Sequence, residues 1–183
     1  MRTRICSVLF LALLCISAPL YAVDDDPAEV LVVETIVGAR HGLKLVAPGT
    51  NTPNSIGGFD GITANTEKFS VTDENYDATL TVKKLIAYCN SVAGYDILLS
   101  ASAMVSTSVS HIIRYSVTAG GATVTTAADG SETAATNKVT EKTSLDRIDF
   151  YGADITITVN ETDYLSAVTS TYAGTIKITL ISN

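Results

Sequence analysis

From Tyr172 to Leu180 apolar or small residues alternate with mostly polar ones. Tyr172, Gly174, Ile176, Ile178 and Leu180 fall on one side of an extended backbone, and Ala173, Thr175, Lys177 and Thr179 on the other. A period of two predicts a half-buried β-strand within Thr171 to Asn183. The pattern recurs just upstream, with Ile155, Ile157 and Val159 set against Asp154, Thr156, Thr158 and Asn160. The stretch from Glu161 to Ser170 is long enough for a wide connection, so the two strands either pair directly or face each other across a sandwich.

The same reading extends along the rest of the chain. Ala28 to Val37 has Leu31, Val33, Thr35 and Val37 on one face and Val30, Val32 and Ile36 on the other, interrupted only by Glu34, as in a strand covered on both sides. Leu43 to Val46 is a short strand. The Pro, Gly and Asn run from Ala47 to Gly61 has too little apolar periodicity for an element of its own. Phe69 to Thr72 reads as a short strand and Asp73 to Asp77 as a turn. In Ala78 to Tyr88 the alternation slips by one at Lys83-Lys84, which predicts a β-bulge there. Cys89 to Gly94 turns the chain into a strand from Tyr95 to Ala101. After a Ser-rich connection, His111 to Thr118 alternates again and ends at Gly120-Gly121, a turn signal with Ala122 to Thr126 as hairpin partner. Thr126 to Thr143 is polar and reads as a mobile loop.

About seven to nine short strands at this spacing predict an all-β fold, an immunoglobulin-like antiparallel β-sandwich. Its expected core is Leu80, Val82, Tyr95, Ile97, Ile113, Tyr115, Ile155, Ile157, Ile176, Ile178 and Leu180. If Ile178 is central, truncation to Ala should cost about 2–5 kcal/mol. Composition agrees with this class: Val, Ile, Thr and Tyr abound, charged residues make up 17% and Trp is absent.

The first 22 residues carry a different signal. Arg2 and Arg4, an apolar run from Val8 to Ile16, and Leu-Tyr-Ala ahead of Val-Asp-Asp-Asp have the order of a secretory signal cleaved after Ala22. The run is too short to span a membrane. Leu14, where a small residue would be needed, argues against lipidation at Cys15. The mature chain, 23–183, is then one domain. It loses two of the twelve basic residues, leaving ten against nineteen acidic ones, a formal charge of −9. Such a surface has no electrostatic footprint for nucleic acid or for an anionic membrane. Cys89 is the single cysteine left, which excludes an internal disulfide and fits a small buried apolar residue.

Chemistry-bearing patterns are sparse. His41 and His111 lie far apart, without His-Glu-x-x-His or Cys-x-x-Cys spacing, and read as surface or strand-end residues. No Gly-x-Ser-x-Gly elbow occurs. Gly57-Gly58 and Gly120-Gly121 lack the strand-to-helix context of a phosphate cradle and read as turns. Asp24 to Asp26 is a solvated charge run. Asp73, Glu74 and Asp77 lack the twelve-residue calcium loop pattern. Asn160-Glu161-Thr162 is a sequon that matters only in a glycosylating host. No catalytic residue, cofactor site or metal site is expected, and the chain does not read as an enzyme.

Three stretches carry a resemblance. Asn90-Ser91 followed by Gly94-Tyr95-Asp96-Ile97-Leu98-Leu99-Ser100, then Ile113-Arg114-Tyr115 before Gly120-Gly121, then the terminal Tyr172-Ala173-Gly174-Thr175-Ile176-Lys177-Ile178-Thr179-Leu180 resemble secreted fimbrial subunits, the spore coat protein U-like and chaperone/usher-type pilins. The likeness covers Leu80 to Asn183; several such families carry a cysteine pair, and the single mature cysteine departs from that pattern and favours a cysteine-poor branch. It implies a structural subunit of a bacterial surface fibre, found in the periplasm and at the cell surface. Its partners would be other fimbrial subunits and a periplasmic chaperone, with no membrane insertion after cleavage. A free-standing secreted module that binds sugar or protein is the competing class, since sandwiches host many functions. For a fibre subunit, the segment suited to complement a neighbour's sheet edge is Asp26 to Gly38, through Leu31, Val33, Thr35 and Val37. The same residues also fit the first strand of their own domain.

Overall fold

The alternating stretches form nine strands and two short helices, described in a computed structural model that covers residues 37–183. All of these elements lie in the compact unit Ala39–Asn183. The strands are β1 (His41–Val46), β2 (Thr79–Cys89), β3 (Tyr95–Val105), β4 (Ile112–Ile113), β5 (Tyr115–Ala119), β6 (Ala122–Thr125), β7 (Asn137–Lys142), β8 (Asp149–Val159) and β9 (Ala173–Ser182), with α1 (Ile56–Gly61) and α2 (Glu161–Leu165). One sheet has the order β1-β2-β8-β5-β6. In the other, β3 is central, with β9 along one side and β7 and β4 along the other. Every pairing is antiparallel. The protein is an all-β sandwich in which β8 and β9 sit in opposite sheets and do not pair. The expected first strand, Ala28 to Val37, lies outside the described residues except for Val37.

Between the sheets, Val82, Tyr95, Ile97, Ile113, Tyr115, Ile155 and Ile157 are buried, as their alternation requires. The phase slip in β2 is a bulge: the register with β8 shifts between Thr81 and Lys83. Leu80 and Val82 face inward before it, and Leu85 and Ala87 after it, so both apolar sets reach the same core. Expected core positions Leu80, Ile176, Ile178 and Leu180 are only half-buried, packed against the cluster from its margin.

Four expectations are corrected. The loop Ala47 to Gly61 contains α1, and Gly57-Gly58 lies inside this helix rather than in a turn. Ser55 caps it by accepting a hydrogen bond from the Gly58 N–H at 3.0 Å. Lys44 Nζ donates to the carbonyls of Phe59 and Ile62 at its other end, at 2.8 and 2.9 Å. The helix is held by one residue, Phe59, buried with Val46, Ile86 and Tyr88 on the outer face of the β1-β2 sheet, and six residues are too few to leave a 3.6 period in the sequence. Phe69 to Thr72 forms no strand. Thr126 to Thr143 is not all loop, because its last part is β7, paired with β3. With one buried apolar residue, Val139, its ladder is a matter of backbone bonding and leaves almost no hydrophobic pattern.

The fourth correction concerns His111 to Thr118, which is two strands and not one. Ile112-Ile113 pairs with β3 in one sheet and Tyr115–Ala119 with β8 and β6 in the other, so the chain crosses between sheets at Arg114. Alternation continues through the crossing because both halves point into the same core. Asp163 of α2 fastens the crossing: Arg114 donates from Nε at 2.6 Å, from Nη2 at 2.9 Å and from its backbone N–H at 3.1 Å to the carboxylate. The Asn160 N–H donates to the Arg114 carbonyl at 2.9 Å. These side-chain hydrogen bonds hold the Asp163 carboxyl below its ordinary range, against the opposing effect of desolvation. A carboxyl depressed in the folded state stabilises fully above its unfolded pKa of about 3.9 and loses that contribution as pH falls through the folded value. Asp163→Asn is therefore expected to lower the melting temperature at neutral pH and to flatten its decline below about pH 4, as checked by thermal melts across the acid range. An acid limb identical to that of the wild type would contradict this.

Candidate assembly edge

The two long sides of the sandwich are built differently. On one side β6 and β7 are fastened together: the Gly121 N–H donates to the Val139 carbonyl at 3.1 Å, and Tyr151 Oη donates to the same carbonyl at 3.3 Å. On the other side, β1 and β9 approach each other as the outermost strands of their sheets. Among the described residues β1 pairs only with β2, and β9 only with β3. In an antiparallel strand alternate residues direct both N–H and C=O to the same side, so the outer side of β9 carries a row of backbone groups without a strand partner.

Register fixes which side chains of β9 look inward. Ile176, Ile178 and Leu180 stand opposite Ala101, Leu99 and Ile97 of β3. Those three β3 residues are fully buried, whereas their partners on β9 are only partly buried. Leu43 and Leu45 of β1 are partly buried in the same way, opposite the buried Ala87 and Leu85 of β2. An inward-facing apolar row therefore runs along this side, and among the described residues no strand lies beyond it; the segment after α1 meets β1, where the Asn65 N–H donates to the Leu45 carbonyl at 2.7 Å. On the opposite face of β9, Thr175 and Lys177 are exposed.

Both ends of β9 are anchored. At its start, Tyr115 Oη donates across the sandwich to the Thr175 carbonyl at 3.2 Å, and the Thr175 N–H donates to Ser102 Oγ at 3.1 Å. Burial pushes the Tyr115 phenol up to about 12, so it remains a donor over the physiological range. At its end, the Asn183 N–H donates to the Gly94 carbonyl at 3.1 Å, and Ser91 Oγ donates to the Asn183 carbonyl at 2.6 Å. The chain leading into β1 is tied to the same turn, with the Arg40 N–H donating to Asn90 Oδ1 at 2.5 Å and the Asn90 N–H to the Arg40 carbonyl at 3.1 Å.

Of the residues expected to complement an edge, Val37 is described and is 71% exposed. Leu31, Val33 and Thr35 lie outside the described residues. The partly buried apolar row of Leu43, Leu45, Ile176, Ile178 and Leu180 is not foreseen as an edge from sequence, where Ile176, Ile178 and Leu180 read as central core. Lys177 in the middle of the last strand is the one local sign, since a lysine is a common edge residue.

Elsewhere the surface holds little chemistry. No group of three His, Cys, Asp or Glu side chains among the described residues could hold a metal ion. Cys89 is free and buried. His41 opens β1, exposed, and His111 sits just before β4 with Nε2 2.7 Å from the Asp163 carbonyl. Among the described residues no helix is long and apolar enough to cross a membrane. Compared with protein-family models, curated proteins and solved structures, the chain matches none of them.

Proposed function

We propose that this protein is an exported structural subunit of a bacterial surface fibre, an immunoglobulin-like sandwich with an unfilled edge that a strand from a neighbouring subunit completes. The observation that carries the reading is the partly buried apolar row of β9 beside a backbone edge that has no strand partner among the described residues, on a sandwich whose opposite side is fastened shut. A single strand with alternating apolar residues would pair with that backbone and bury Ile176, Ile178 and Leu180 in one step. Asp26 to Gly38 is such a segment, thirteen residues against the ten of β9, and it presents Leu31, Val33, Thr35 and Val37 at period two.

Chain geometry favours donation between subunits. β9 runs toward the β2–β3 turn, and the segment joins the sandwich at that same turn through Ala39 and Arg40. An antiparallel strand on its own β9 would finish at the far end, about 33 Å from its point of attachment. Two residues span about 7 Å. An antiparallel strand therefore comes from another chain, in keeping with the antiparallel pairing throughout this fold. Residues 1–22 supply export to the periplasm. A periplasmic chaperone would cover the same edge until a subunit replaces it, and the fibre would stand at the cell surface.

Val33→Asp in the mature chain tests this. A carboxylate in the middle of the donated row is costly to bury, so the variant is expected to remain a folded monomer with wild-type melting behaviour while the ladder of assemblies disappears on native gels. If Val33→Asp unfolds the isolated subunit, the segment belongs to its own core and strand donation is wrong.

A further inference from the structure

Fibre subunits that exchange strands must also touch end to end, and the exposed apolar residues sit where that contact falls. Resting on the function proposed above, we infer that the β2–β3 turn of one copy, led by Val92, docks on the surface formed by α2 and the loop after it, at Leu165 and Val168, of the next copy. One pole of the sandwich carries the β2–β3 turn, the β7–β8 loop, the start of β1 and the end of β9. The other carries the loop before β2, α2 and the start of β9.

The segment 26–38 leaves its body at the first pole. Paired antiparallel to a neighbour's β9, it ends with Gly38 at the neighbour's second pole, because β9 begins there at Ala173. Only Ala39 and Arg40 then separate that point from His41 of the donor, a reach of about 7 Å. The first pole of one copy is thereby held against the second pole of the next.

The chemistry of the two poles suits this contact. Val92 is 78% exposed, on a turn steadied by the Leu145 N–H donating to its carbonyl at 3.1 Å. Leu165 and Val168 are 63% and 55% exposed. The second pole presents the exposed carboxylates Asp73, Glu74, Asp77 and Glu161, and neither 72–79 nor 160–172 contains a basic residue. Arg114, beside this pole, is engaged by Asp163. At the first pole Arg40, Lys142 and Arg147 are exposed beside Asp146, while Glu141 is paired with Lys138. Two acidic poles repel, so the charges favour the head-to-tail pairing and disfavour the symmetric one.

Val92→Glu places a carboxylate at the centre of the first pole, opposite the acidic one. The purified mature variant is expected to melt like the wild type, because the side chain is exposed, and to assemble about tenfold more slowly at low salt. Adding Glu161→Lys to the same chain should restore most of the rate. A Val92→Glu chain that assembles at the wild-type rate, while Val33→Asp does not assemble, would overturn the pole contact and leave strand donation standing. A wild-type chain that stays monomeric, or a Val33→Asp chain that still assembles, would overturn both. Slow assembly that Glu161→Lys fails to relieve would also overturn the proposed pairing of poles.

Discussion

Replacing Gly94 by alanine is expected to destabilise the domain by at least about 3 kcal/mol, lowering its melting temperature by roughly 10 °C for a chain of this size. Gly94 closes the β2–β3 turn at a φ of +89°, a conformation that costs an L side chain energy in itself. An added Cβ would also lie 1.8 Å from the Lys142 carbonyl oxygen and 2.6 Å from its carbon. Both obstacles are backbone, and Lys142 is held in register opposite Tyr95 at the end of the β3–β7 ladder. Relief requires the end of β7 to leave β3, or the turn to open. Opening the turn disturbs the Gly94 carbonyl that receives the Asn183 N–H and the Asn90 contact that holds Arg40. Denaturant unfolding measures the loss, and a midpoint equal to that of the wild type would show that the turn accepts a side chain.

A comparison of two cross-strand neighbours gives the second large effect. Leu99 on β3 and Ile178 on β9 stand opposite each other in the same layer of the core. Leu99 is fully buried at the centre of its sheet, and Leu99→Ala is expected to cost about 3–5 kcal/mol through lost burial and the cavity left behind. Ile178→Ala in the isolated chain is expected to cost about 1–2 kcal/mol, since its side chain is only partly buried. That is lower than a central position would give. In the fibre proposed above the difference should narrow, because a donated strand would cover Ile178 and its truncation would then weaken the junction as well. Melting of isolated and assembled protein separates the two contributions. Equal losses for the two variants in the monomer would mean that β9 is already covered in the isolated chain.

Period-two alternation determined much of this protein by itself. It located β9, the later part of β8, β5 and the start of β3, and it placed the bulge of β2 within two residues. Each of these is a local consequence of one buried face, and a buried face is written into successive side chains. Short elements held by other forces escaped it: α1 depends on Phe59, on the Ser55 cap and on Lys44 from a strand distant in sequence, and β7 depends on backbone bonds to β3. Which strands are neighbours, and which strand edges lack a partner among the described residues, was decided only by tertiary structure. His111 to Thr118 reads as one strand because both sheets face the same core, so the crossing at Arg114 changes the partners without changing the pattern. Ile176, Ile178 and Leu180 likewise carry the same alternation whether a further strand lies beyond them or not. Alternation records the face a strand turns to the core; its edges point along the sheet, at right angles to every side chain, and are set by the rest of the chain.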